Sequence, residues 1–188
     1  IKAWSEAMPS CAAARPGVCP CCEAAAQPLG GPLVVVGHGA VERQVLSPRV
    51  AGGEPVQALV KLRRYRCRAC GAVLEVGPRG LVRGRWYGAG AIGQALALYA
   101  RGATSAVVRG RTSPSRVVGS SARERWVTLT RWVEAARRGN LFGVLVRPVA
   151  LGRRDVAEQV MLVLAARAGH VLGAALSESA FAGALIAA

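Results

Sequence analysis

The sequence predicts a mixed α+β fold in which a small β domain precedes an α-helical module. Three observations predict it. Two C-x-x-C pairs, Cys19-Pro20-Cys21-Cys22 and Cys67-Arg68-Ala69-Cys70, bracket a stretch of strand-like alternation. Beyond Trp86 the apolar period changes from two residues to about 3.6, the spacing of a helix. Almost all of the net charge of +15 falls in the middle of the chain.

Residues 1–18 are rich in Ala and Pro, lack periodicity, and read as a flexible or partner-bound lead-in segment. Leu33–Val36 and Val41–Leu46 read as strands joined by a hairpin turn at Gly37-His38-Gly39. Pro48 to Pro55, with Gly52-Gly53 inside, is a loop. Val56, Ala58, Val60 and Leu62 then alternate as one face of a strand running toward Cys67, with Lys61 and Arg63 on the other face. Ala72–Val76 is a short return strand stopped by Gly77-Pro78.

Two thiolates separated by two residues can bind one ion through a single tight turn, and two such pairs complete a tetrahedral zinc site. Gly71 suits the second turn; the first carries Glu23 at the same place and is expected to be less regular. Cys21 makes the register of the first pair ambiguous, but the two-residue gap selects Cys19 and Cys22. Cys19, Cys22, Cys67 and Cys70 are therefore the expected ligands of one structural zinc, leaving Cys11 and Cys21 as spare thiols. A disulfide framework fits this composition poorly, and a thioredoxin-like pair would need a βαβ pattern that is missing. His38 is the one outside candidate for a substitute ligand, and reads first as a turn residue. Residues 19–80 are thus expected to form a zinc ribbon.

Residues 86–140 read as a helix-turn-helix-like module. Ile92, Ala95, Leu96 and Tyr99 share a helical face that ends at Gly102. Thr104 or Ser105 caps a short second helix that stops near Gly110. Ser121-Ala122-Arg123-Glu124 has the form of a capping box, and Trp126, Leu129, Val133 and Ala136 make an apolar stripe ending at Arg137-Arg138-Gly139. The connection from Gly110 to Ser121 is longer than the turn of a standard helix-turn-helix. Residues 141–188 read as a C-terminal helical pair: one helix from Arg153 to Ala168, and an apolar one from Ser177 to Ala188.

Charge separates these regions. Residues 1–60 and 141–188 are close to neutral, whereas residues 61–140 hold seventeen cationic side chains against Glu75, Glu124 and Glu134, a net +14. So concentrated a positive field attracts a polyanion, most simply the phosphates of double-stranded DNA. Arg116, Arg123, Arg125, Thr128 and Arg131 are the expected contacts around the third helix, with Arg63, Arg64 and Arg66 gripping the adjacent backbone. A GC-rich coding sequence inflates arginine everywhere, but does not explain why the excess stops at both boundaries.

Arg64-Tyr65-Arg66-Cys67-Arg68-Ala69-Cys70-Gly71, preceded by Cys19-Pro20-Cys21-Cys22 and followed by Leu129-Thr130-Arg131-Trp132, resembles a bacterial family of uncharacterised zinc-ribbon and helix-turn-helix proteins. It is similar also to the N-terminal DNA-binding regions of insertion-sequence transposases. The likeness covers residues 19–140 and implies that the four cysteines bind zinc and that the helix bearing Arg131 reads DNA. It also implies a mobile-element setting, a transposase or other mobile-element protein as partner, and a cytoplasmic, nucleoid-associated location. Departures from the pattern are Glu23, the crowded Cys21 and the long loop at 47–55.

Catalysis is not expected. A two-metal nuclease site needs several carboxylates, and the chain has one aspartate, Asp155, beside nine scattered glutamates. Ser120-Ser121, Tyr65, Tyr87 and Tyr99 lie in the basic region, but caps and cores explain such residues better than nucleophiles do. The run Gly88–Gly93 follows no strand and lacks the spacing of a phosphate loop. No run of eighteen apolar residues marks a membrane span. The competing readings are a stand-alone transcription regulator with the same chemistry and an adaptor whose zinc ribbon binds protein.

Overall fold

The computed structural model describes residue 4 and residues 6–115, 126–147, 152–169 and 175–188. It is a mixed α+β fold: a three-stranded antiparallel sheet followed by helices. The strands are β1 (Val35–Pro48), β2 (Pro55–Cys67) and β3 (Val73–Val76), hydrogen-bonded in the order β1-β2-β3. The helices are α1 (Ala89–Ala100), α2 (Ser105–Thr112), α3 (Val127–Arg137), α4 (Arg153–Arg167) and α5 (Leu176–Ala187). Two compact units divide the chain: Ile1–Gln44 with Leu59–Pro78, and Val45–Ala58 with Arg79–Ala188.

In the first unit, β1 runs unbroken through Gly37-His38-Gly39, where a hairpin turn was expected. The glycine at 37 serves a close approach instead, since a Cβ there would lie 2.5 Å from the Cys11 sulfur. The reversal comes later, in the loop where the Gly53 N–H donates to the Val50 carbonyl at 3.1 Å. Along β2 the buried positions are Val60 and Leu62, then Tyr65 and Cys67. The buried face changes at the half-buried Arg63-Arg64, so one face of the strand is covered before them and the opposite face after them. Antiparallel pairing then sets Tyr65 opposite Leu74, and both are buried beside Val35, Ala26, Cys19 and Cys67.

The lead-in segment is tied to β2 rather than loose. Trp4 Nε1 donates to the Lys61 carbonyl (2.7 Å), Arg63 Nε to the Pro9 carbonyl (2.9 Å) and the Tyr65 hydroxyl to the Cys11 carbonyl (2.7 Å). Bonds between a side-chain donor on one segment and a backbone carbonyl on the other leave no period in the lead-in sequence, so pattern reading does not reveal them.

The second unit is built on helix contacts. The stripe Trp126, Leu129, Val133 and Ala136 is buried as expected, but α3 begins only at Val127. Trp126 is its N-cap, with extended backbone (φ −104°, ψ 92°). The Ser121–Glu124 box therefore does not cap this helix, and itself lies outside the described residues. Trp126 belongs to an aromatic cluster in which Tyr87, Trp126 and Trp132 meet edge to face at centroid distances of 5.0–5.7 Å. Thr104 caps α2 as expected, its hydroxyl accepting from the Val107 N–H at 3.3 Å. Asp155, the one aspartate, is in use as a helix-start group, with its Oδ2 accepting from the Gly152 N–H at 2.8 Å.

Glycines in α1 and α5 let three helices approach closely. A Cβ at Gly90 would lie 2.6 Å from the Phe181 ring, one at Gly93 2.6 Å from the Ala180 carbonyl, and one at Gly183 on the Leu164 carbonyl. The Gly88–Gly93 run is thus a packing surface. Arg154 ties α4 to the end of α1, its guanidinium donating to the Tyr99 and Ala103 carbonyls and sitting 4.6 Å over the Tyr99 ring. Among the described residues no helix is long and apolar enough to cross a membrane.

This packing makes Gly183→Ala destabilising by about 1–3 kcal/mol, because the clashing atom is backbone. Gly110→Ala, in α2 with open space around it, should stabilise by up to about 1 kcal/mol. Thermal unfolding reads both: melting shifts of opposite sign are expected, and a neutral Gly183→Ala contradicts the close approach.

Candidate metal centre

The two cysteine pairs form turns with the same hydrogen-bond pattern. In the first, the Cys19 N–H donates to the Ala24 carbonyl (2.9 Å) and the Glu23 N–H returns to the Cys19 carbonyl (2.8 Å). In the second, the Cys67 N–H donates to Ala72 (2.9 Å) and the Gly71 N–H to Cys67 (2.9 Å). Each turn closes an antiparallel pair, Val18 with Ala25 in one case and Arg66 with Val73 in the other. A further bond from the Arg68 N–H to the Val34 carbonyl (2.8 Å) ties the second turn to the chain entering β1.

The fifth residue of each turn must be left-handed for these bonds to close. Gly71 is so at φ 76° and Glu23 at φ 59°. The first turn is therefore as regular as the second, contrary to expectation, and Glu23 bears the strain that a Cβ brings to this conformation.

These turns bring all four predicted thiols together. The Cys19 and Cys70 sulfurs lie 3.8 Å apart, as do those of Cys22 and Cys67. All four sulfurs fall within 4.8 Å of one another, a group able to hold one metal ion. Zinc–thiolate bonds of about 2.3 Å in a tetrahedron require sulfurs about 3.8 Å apart, so the donor set and its spacing fit zinc. One cysteine of each pair is buried (Cys19, Cys67) and one exposed (Cys22, Cys70). Cys21 is exposed, Cys11 is half-buried against Gly37, and neither belongs to the group; nor does the exposed His38.

The sulfurs share their protons unequally. The Cys21 N–H, against the opposing effect of burial and helped by the Cys22 amide and the Cys22 and Cys67 thiols, lowers Cys19 to about 6. At Cys22 the Ala24 N–H pulls downward, but the Cys70 thiol, desolvation and the Cys19 and Cys67 sulfurs outweigh it and push the group up to about 12. Cys70 is raised in the same way: the Ala72 N–H and Cys22 favour its thiolate, yet desolvation with Cys67 and Cys19 prevails. A cation bound among the four sulfurs would release the protons held at Cys22 and Cys70.

The expected DNA-contact residues are placed more variously. Arg66 is exposed on β2, one residue before Cys67. Arg63 uses its Nε on Pro9, while the half-buried Arg64 lies opposite Glu75 and has no hydrogen-bond partner on Nε. In the second unit, exposed Arg131 and half-buried Thr128 share a face of α3 with exposed Arg138, opposite buried Leu129, Trp132 and Val133. Arg116, Arg123 and Arg125 lie outside the described residues. Searches against known protein families, curated proteins and solved structures found no match to this chain.

Replacing Glu23 by glycine should relieve the left-handed strain and raise the stability of the first unit by about 0.5–1 kcal/mol. Gly71→Ala should lower it by a similar amount. Denaturant titration followed by the protection of the Cys67 and Gly71 backbone N–H groups from hydrogen exchange tests both; equal stability of Glu23→Gly and wild type contradicts the shared turn geometry.

Proposed function

We propose that this chain is a non-catalytic, zinc-dependent binder of double-stranded DNA that works within a mobile-element system, as the targeting part or accessory of a transposase. One observation carries the reading: four thiols at tetrahedral spacing stand at the head of a region with net charge +14. A zinc ion held by Cys19, Cys22, Cys67 and Cys70 would make the first unit a zinc ribbon. Four thiolates leave no coordination position for water, so the ion would stabilise structure and supply no Lewis acid to a substrate.

Duplex contact is assigned by charge and exposure. Arg131, Thr128 and Arg138 offer a cationic face on a helix whose other face is anchored by tryptophan and valine, which suits a recognition helix in the major groove. On β2, Arg66 is the exposed arginine that suits a phosphate. Arg154 does not contribute, since its half-buried guanidinium is engaged with the Tyr99 and Ala103 carbonyls. The mobile-element setting rests on the resemblance described above, and the non-catalytic reading on a sequence with a single aspartate beside nine scattered glutamates.

A single preparation tests this reading. The chain should carry one zinc per molecule, and Cys67→Ser should release it and loosen the first unit while leaving the helical signal largely intact. Neutralising roughly six phosphates should give a slope near −5 for log affinity against log salt. A flat salt response rejects duplex binding; undiminished zinc in Cys67→Ser rejects the four-thiolate site.

A further inference from the structure

Three of the four tryptophans are accounted for by the fold: Trp126 and Trp132 are buried, and Trp4 is hydrogen-bonded to β2. Trp86 is 68% exposed. A single exposed indole is ordinary, but this one stands on a fixed base. Its carbonyl accepts from the Leu46 N–H at 2.7 Å, and the Gly88 N–H donates to the Leu46 carbonyl at 3.0 Å. Ahead of it, the Arg85 N–H closes a turn onto the Val82 carbonyl at 3.1 Å, with Gly84 supplying the left-handed conformation (φ 68°). The next residue, Tyr87, packs into the aromatic cluster and donates its hydroxyl to Ser113 Oγ at 2.9 Å. The backbone is pinned on both sides of a side chain left open to solvent.

The surroundings select a ligand class. Arg79 and Arg83 are exposed in the same loop, and no aspartate or glutamate occurs between Glu75 and Glu124. A rigid aromatic face among cations, in a stretch without carboxylates, suits a polyanion that carries flat rings. Unpaired nucleic-acid bases stack on such a face while arginines take the phosphates. Duplex DNA hides its base faces and would leave the indole idle.

We infer that the loop Arg83-Gly84-Arg85-Trp86 is a stacking platform for an unpaired nucleic-acid base, with Arg79 and Arg83 pairing to the flanking phosphates. The inference deepens the nucleic-acid reading above and adds a single-strand mode separate from the Arg131 face. Trp86 is a contact residue in this scheme; its exposed ring contributes little to the core.

Binding of the full chain to fluorescent oligothymidine of about 20 nucleotides, and to a duplex of equal length, tests it. Trp86→Ala should weaken oligothymidine binding roughly 5- to 100-fold, Trp86→Phe only a few-fold, and neither should change duplex binding more than about two-fold. Arg131→Ala should show the reverse preference, and an unchanged melting temperature in Trp86→Ala shows that folding is intact. Oligothymidine binding unaffected by Trp86→Ala overturns the platform. A wild-type chain that binds duplex but not oligothymidine overturns it too, and leaves the duplex reading standing. Binding of oligothymidine through Trp86 without duplex binding upholds the platform and removes the duplex reading; binding of neither removes both.

Discussion

Four sulfurs from residues far apart in the chain, all within 4.8 Å of one another, are the constraint on which both turns of the first unit converge. A tetrahedral site fixes distances between residues far apart in the chain, so both turns must present their thiols at one point. Each does so with the same pair of backbone bonds and the same left-handed fifth residue. The core beneath is small, with six buried side chains of which two are Cys19 and Cys67 themselves. A unit with so little apolar surface needs a staple, and a structural zinc supplies an apparent binding free energy of about 10–16 kcal/mol. The unequal proton affinities of Cys19 and Cys22 have the same origin, since uncompensated thiolates cannot all ionise side by side.

The second unit uses a different device. Its helices touch through glycine and alanine, and an edge-to-face cluster of Tyr87, Trp126 and Trp132 holds the N-cap of α3. Arginine plays two roles there. Arg154 is half-buried and satisfies the Tyr99 and Ala103 carbonyls, whereas Arg79, Arg83 and Arg131 are exposed. The second set, not the total charge, is available to an anionic partner.

The metal ligands were legible because C-x-x-C spacing is a local rule with a chemical cause, and helices α1, α2, α4 and α5 were legible from apolar period and caps. What stayed hidden depends on contacts between distant residues. Gly37 reads as a turn glycine until the Cys11 sulfur is seen against it. Glu23 reads as a poor turn residue because sequence does not reveal that backbone bonds force it left-handed. The start of α3 differs from the expected one, with Trp126 in extended backbone at its N-cap. Gly90 and Gly93 look like a flawed phosphate loop, since close helix approach has no signature of its own in one strand of sequence. Trp86 carried a faint signal, an indole after Arg83-Gly84-Arg85, but exposure is a property of the fold.

Zinc K-edge X-ray absorption of the purified chain is the most direct measurement of the site on which the first unit depends. Four sulfur scatterers at about 2.3 Å are the predicted result. Nitrogen or oxygen in the first coordination shell, or a chain that folds fully and takes up no zinc, would contradict it.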